Sequence, residues 1–147
     1  MAENEQVALS RQEKYVKERL DDQIMWYSKK SSANKRNHFA VATLIIMFSA
    51  LIPFLTGLEN EIISEKVVGF LGICIAIATG VASLYKYQEN WINYRKTCEE
   101  LKREKNWYDS QIAPYDEEAT RFKILVTRTE HILDKELKEW DTNMNKK

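Results

Sequence analysis

An all-α fold organised on a two-helix membrane hairpin follows from three features of the sequence. The first is a pair of uncharged apolar runs, 39–58 (FAVATLIIMFSALIPFLTGL) and 67–85 (VVGFLGICIAIATGVASLY). The second is the scarcity of breakers, four Gly and two Pro in 147 residues, which disfavours loop-rich and sheet folds. The third is an apolar spacing by threes and fours through the polar remainder, the period of an amphipathic helix. The chain is long enough for one domain, taken as 1–147. Its 22 Lys and Arg balance 22 Asp and Glu, so no bulk basicity points to nucleic acid. A mean hydropathy of -0.49 looks soluble only because it averages two greasy blocks with a highly charged remainder.

Residues 3–37 read as a cytosolic helix, with Leu9, Val16, Leu20, Ile24 and Tyr27 on its apolar face. The SSAN stretch at 31–34 is a weaker helix former and is expected to loosen it. Residues 39–58 are the first span, TM1; twenty residues at ~1.5 Å each reach ~30 Å, the thickness of a bilayer core. Its eleven Leu, Ile, Val and Phe residues together favour insertion by about 5 kcal/mol. Pro53 removes the hydrogen bond to the Ser49 carbonyl and is either simply tolerated or a gating hinge. Residues 59–66 form a short external loop with Glu59, Glu61 and Glu65 against Lys66 alone.

The second span, TM2 (67–85), is rich in small residues. Gly72, Ala76 and Gly80 recur every fourth position, with Gly69, Thr79 and Ser83 near the same face. That pattern lets helices approach closely in lipid. It serves either packing against the first span or, as Gly72, Ala76, Thr79 and Ser83, the lining of a pore. No breaker follows, so this helix is expected to continue unbroken to 108 on the seam Leu84, Tyr87, Trp91, Tyr94, Cys98, Leu101. Pro114 ends a turn at 109–115. A C-terminal cytosolic helix, 116–140, has the seam Phe122, Val126, Thr129, Leu133, Leu137 and Trp140, and a polar tail follows.

Lys29, Lys30, Lys35 and Arg36 precede the first span, and Lys86, Arg95 and Lys96 follow the second. The positive-inside rule then places both termini in the cytoplasm. Counting outward from the membrane sets Trp26 and Tyr27 level with Tyr94 to Cys98, and Asp21 and Asp22 level with Lys102 and Arg103. Trp26 is therefore expected to pack on Trp91, Tyr94 and Cys98, as bundle core, with Gln23 near Arg95 or Glu99. Cys74 and Cys98 stand 24 residues apart on one expected helix and cannot pair within a chain. His38 and His131 read as surface histidines. No catalytic residue, metal site or cofactor motif is found, so an enzyme is not expected.

Four separated motifs come in order: Arg19-Leu-Asp-Asp-Gln-Ile-Met-Trp-Tyr27, Leu51-Ile-Pro-Phe54, Asn90-Trp-Ile-Asn-Tyr-Arg-Lys-Thr-Cys-Glu-Glu-Leu-Lys-Arg-Glu104 and Ala113-Pro-Tyr115. They resemble the bacterial SLATT superfamily of two-transmembrane effector domains, over about residues 10 to 140. The resemblance implies an inner-membrane, pore-forming effector of a conflict or signalling system, triggered by a cytosolic sensor or signalling partner.

Two functions are expected from these features. The first is a homo-oligomeric channel of about four to six chains, with Gly72, Ala76, Thr79 and Ser83 inward and Glu59, Glu61 and Glu65 ringing a cation-preferring outer mouth. The alternative is a non-conducting, membrane-anchored module that docks a cytosolic partner. A soluble bundle is disfavoured, because too few polar helices remain to cover two all-round apolar ones.

Overall fold

The computed structural model describes residues 10–57 and 61–145, with side chains described for 10–57 and 65–139. Among the described residues the chain is all-α. Its helices are α1 (Ser10–Thr56), α2 (Glu61–Tyr85), α3 (Tyr87–Asp109) and α4 (Glu118–Asn145). Residues up to Ser31 and from Ile92 onward form one compact unit, and Ser32–Trp91 form a second.

The first unit is a helical bundle. Leu20 and Tyr27 of α1, Cys98 and Leu101 of α3, Tyr115 of the turn and Leu125 of α4 make its buried core. Val16, Ile24, Tyr94 and Ile132 pack around them. The α1 and α3 seams are those their apolar spacing predicts; Leu9 lies outside the described residues. Each fully buried leucine contributes about 2 kcal/mol of transfer free energy. The Cys98 thiol donates to the Ile24 carbonyl at 3.6 Å, and both cysteines are free.

The α4 seam agrees with the expected one at Phe122, Val126, Thr129 and Leu133, and Leu133 packs against the core. It differs in that Leu125 is fully buried, Ile132 and Glu136 are partly covered, and Leu137 is 61% exposed. Glu130 and Glu136 of the same helix accept from tyrosines of α1. Trp140 lies outside the described side chains. The helix starts at Glu118 and extends to Asn145, past the expected 116–140.

Three further expectations are corrected. The SSAN stretch does not loosen α1; Ser31 is buried, and the irregularity is instead a π-helical turn at Val16–Leu20. There the Asp21 N–H reaches back to the Val16 carbonyl, the signature of one residue inserted into the α ladder. The helix from the second span is not unbroken: Lys86 takes a left-handed backbone (φ 47) and separates α2 from α3. The side-chain amide of Asn90 donates to the Tyr85 carbonyl at 2.9 Å, satisfying an acceptor that the break leaves over. Finally, Asp21 pairs with Lys105 rather than with Lys102 or Arg103, less than one turn further along α3.

The second unit is a helix pair. On α1 the half-buried positions are His38, Val41, Ile45, Phe48, Ile52 and Leu55, a four-three repeat. On α2 they include Val68, Leu71, Ile75, Ala78 and Ala82, the matching repeat. The external loop expected at 59–66 is shorter, because α2 already begins at Glu61. Pro53 stands in the last turn of α1, which ends at Thr56, and the Thr56 hydroxyl bonds the Pro53 carbonyl at 3.0 Å. Three helical residues follow this proline.

Truncating Leu101, which is fully buried, to Ala should lower stability by about 3 kcal/mol. The same change at Leu137 should cost less than ~0.5 kcal/mol. Denaturant unfolding followed by circular dichroism checks both; equal losses would refute the observed α4 seam.

Candidate functional site

Two helices can cover only one stripe of each other, and the hairpin shows the consequence. The most apolar windows of α1 and of the α2–α3 run are 0% and 6% buried. Phe39, Ile46, Met47, Phe54, Phe70, Ile73, Ile77 and Leu84 are all more than half exposed. Both helices are long and apolar enough to cross a membrane. A core helix of a soluble bundle would be mostly covered, and these are not.

The small residues of α2 lie on its open side. Gly72, Ala76, Thr79, Gly80 and Ser83 are exposed, whereas the packed stripe runs through Leu71, Ile75 and Ala78. A Cβ built on Gly69, Gly72 or Gly80 would meet nothing within 4 Å. Close approach of α1 therefore does not explain these glycines. The structure brings Gly72, Ala76, Thr79 and Ser83 together on one exposed face. Of the three acidic residues expected at an outer mouth, Glu65 is exposed; Glu59 and the side chain of Glu61 lie outside what is described.

At the other end of the hairpin, Trp91 is held by residues around the start of the first apolar run. Its ring stacks on His38 (centroids 6.3 Å apart, 28° between planes) and touches Phe39 at 5.9 Å. The Lys35 ammonium stands 5.5 Å from its centroid. Trp91 is thus placed with His38 and Phe39, not as the bundle partner expected for Trp26. His38 is half-buried rather than a free surface histidine; His131 is exposed.

In the bundle, Trp26 does contact Tyr94, at 5.8 Å, but it is 46% exposed, and its neighbour Tyr27 takes the core position. Arg95 is also exposed and pairs with Glu99 on its own helix instead of packing. Trp26 and Met25 border a shallow open groove with Asp22, Gln23, Tyr27 and Lys29.

The polar centre of the bundle is a buried carboxylate missed by the sequence reading. The Glu104 side chain is 4% exposed and accepts from Arg128 through both oxygens, at 2.9 and 3.0 Å. The fully buried Tyr115 donates its hydroxyl to the same carboxylate. Arg128 also lies over the Trp107 ring. Two more tyrosines bond carboxylates of α4: Tyr15 donates to Glu130 at 3.1 Å and Tyr27 to Glu136 at 3.1 Å. Arg19 forms a forked pair with Glu130.

These contacts set protonation. Burial and the Glu130 carboxylate push the Tyr15 hydroxyl up to about 12. Burial first, and then Glu136, raise Tyr27 and Tyr94; burial and Glu104 raise Tyr115. The Arg19 hydrogen bond holds Glu130 below its ordinary value. The tyrosines are proton-holding locks. Among the described residues no cluster of three His, Cys, Asp or Glu is arranged for a metal ion.

The family described as "Protein of unknown function (DUF4231)" matches residues 22–123, more than two thirds of the chain. The chain belongs to the DUF4231 family. The DUF4231 region takes in α1 from residue 22, all of α2 and α3, the turn with Tyr115 and the start of α4; Tyr15 and Arg19 fall before it, and Arg128, Glu130 and Glu136 beyond it. No curated protein and no solved structure matches the chain. One signal for the missed network was present in the quoted motifs, since Glu104 closes one of them and Tyr115 closes the next.

Two outcomes test the bundle chemistry. Glu104→Ala, which leaves the Tyr115 hydroxyl buried without its acceptor, should cost about 3 kcal/mol by denaturant unfolding. The pH profile has opposite signs at its two ends. Tyr15 ionises higher in the fold than in the unfolded chain, so its contribution is intact below pH ~10 and is lost as pH rises through about 12. Glu130 ionises lower in the fold, so its contribution is present above pH ~4.5 and is lost as pH falls through its lowered value. Melting temperatures across pH check this; a profile still flat at pH 12 would refute the tyrosine locks.

Proposed function

We propose that this chain is an integral membrane protein whose hairpins assemble side by side into a ring and form a cation-preferring channel. The observation that carries this reading is the exposed small-residue face of α2. An isolated hairpin has no use for glycine and alanine on an exposed flank outside its own seam. Between chains, such a face permits close helix contact where lipid supplies no hydrophobic drive. Thr79 and Ser83 on the same face supply hydroxyls that water-filled pores tolerate and lipid does not favour. The resemblance to the SLATT superfamily supports the same reading.

In this arrangement about four to six α2 helices surround the axis, with Gly72, Ala76, Thr79 and Ser83 inward. Glu59, Glu61 and Glu65 ring the outer mouth, and both termini lie in the cytoplasm of a bacterium, beneath its inner membrane. A cytosolic sensor or signalling protein supplies the trigger. One observation favours the second reading, a non-conducting anchor: the open groove beside Met25 and Trp26 offers apolar surface to such a partner.

Ion flux from vesicles carrying the reconstituted full chain decides between them. Potassium release should fall at least tenfold with Gly72→Leu or Ala76→Leu, while Ile77→Leu, a lipid-facing change, leaves it intact. Replacing Glu59, Glu61 and Glu65 by Gln should shift the reversal potential toward non-selectivity. No flux from correctly inserted protein would reject the channel and leave the anchor.

A further inference from the structure

We propose that the basic end of the hairpin is a headgroup site for anionic phospholipid, formed by Lys35, Arg36 and Lys86 around the ring of Trp91. This inference rests on the membrane reading above and deepens it.

Within Ser32–Trp91, the contacts of Trp91 with His38 and Phe39 bring residues 35–39 of α1 alongside residues 86–91. Lys35 and Arg36 are exposed there, and Lys86 retains 44% of its side-chain surface. No Asp or Glu occurs at 23–58 or at 66–88, so Glu89 is the carboxylate near this cluster. It pairs with Lys86 at 3.3 Å, but both side chains are substantially solvated, and such a pair is weak and yields readily to a phosphate. Three cations therefore face one anion at this end.

The apolar surface begins one step away. Phe39 is 52% exposed and Tyr85 is 56% exposed, and both run on into the greasy faces of α1 and α2. The Trp91 ring has the Lys35 ammonium and the apolar Phe39 among its neighbours, the mixed setting in which tryptophan rings settle against lipid ester groups. A phospholipid has the same order of parts: charged phosphate, ester layer, acyl chains. A zwitterionic lipid carries its own ammonium next to the phosphate, and Lys35, Arg36 and Lys86 repel it. An anionic lipid has no such charge. The site accordingly selects lipids of net negative charge, such as phosphatidylglycerol, over phosphatidylcholine.

The test uses the full chain reconstituted in phosphatidylcholine vesicles, with trace spin-labelled phosphatidylglycerol or phosphatidylcholine and electron paramagnetic resonance of the protein-restricted fraction. Phosphatidylglycerol should associate more strongly. Lys35→Gln, Arg36→Gln and Lys86→Gln should each reduce that preference by up to about fivefold, and the three together should abolish it. Lys123→Gln with Lys135→Gln, on α4, should leave it unchanged. Equal association of the two lipids, or a preference that survives the triple change, overturns the inference while the protein remains inserted. Extraction of the chain by alkaline carbonate would overturn the membrane reading itself, and this site with it.

Discussion

Two helices packed side by side can hide only the stripe along which they meet. In the Ser32–Trp91 unit that stripe is narrow, and Leu71 is its one buried residue among those described. Everything else that is apolar on these helices faces outward. Water is a poor solvent for such a surface, at about 25 cal/mol for each Å² left exposed. The surroundings of the hairpin are therefore dictated by its own geometry. Lipid and further copies of the same surface are the covers that the proposed assembly would supply.

The circumference of α2 carries two kinds of exposed surface, bulky and small. Phe70, Ile73, Ile77 and Leu84 offer bulk suited to acyl chains. Gly72, Ala76, Thr79 and Ser83 offer a shallow track suited to another backbone. A helix that met lipid all round would gain nothing from this division. The bundle unit follows the opposite logic: its buried carboxylate is satisfied by partners inside the bundle, although the buried Thr129 hydroxyl has no hydrogen-bond partner among the described residues. Glu104 is surrounded by Arg128 and Tyr115, which is how a carboxylate is kept out of water without an unpaired charge.

Periodicity made most of the architecture legible. The apolar runs, the α1 and α3 seams and the turn at Pro114 are read from spacing and breakers alone, because each is a local property of the chain. What escaped is non-local or depends on one residue. The break at Lys86 has no Gly or Pro to announce it; it is recognisable only once Asn90 is seen holding the Tyr85 carbonyl. The polar anchors of α4 are tied to tyrosines more than a hundred positions away, at Tyr15 and Tyr27. Trp26 was mistaken for core because adjacent aromatic residues both fit a helical face approximately, and burial distinguishes them: Tyr27 is 5% exposed and Trp26 46%. The small-residue face of α2 was visible, but which side of the helix it occupied was not.

The π turn at Val16–Leu20 carries a consequence for how this helix tolerates length changes. Each residue in an α-helix turns the chain by about 100°. The π turn takes up one extra residue with almost no extra rotation, so excising one residue there would let the ladder close normally and leave the upstream side chains facing as they do now. Keeping that residue but forcing a regular α ladder would instead swing Tyr15 away from Glu130 by roughly that angle. The π turn acts as a phase absorber that keeps the start of α1 aligned with α4.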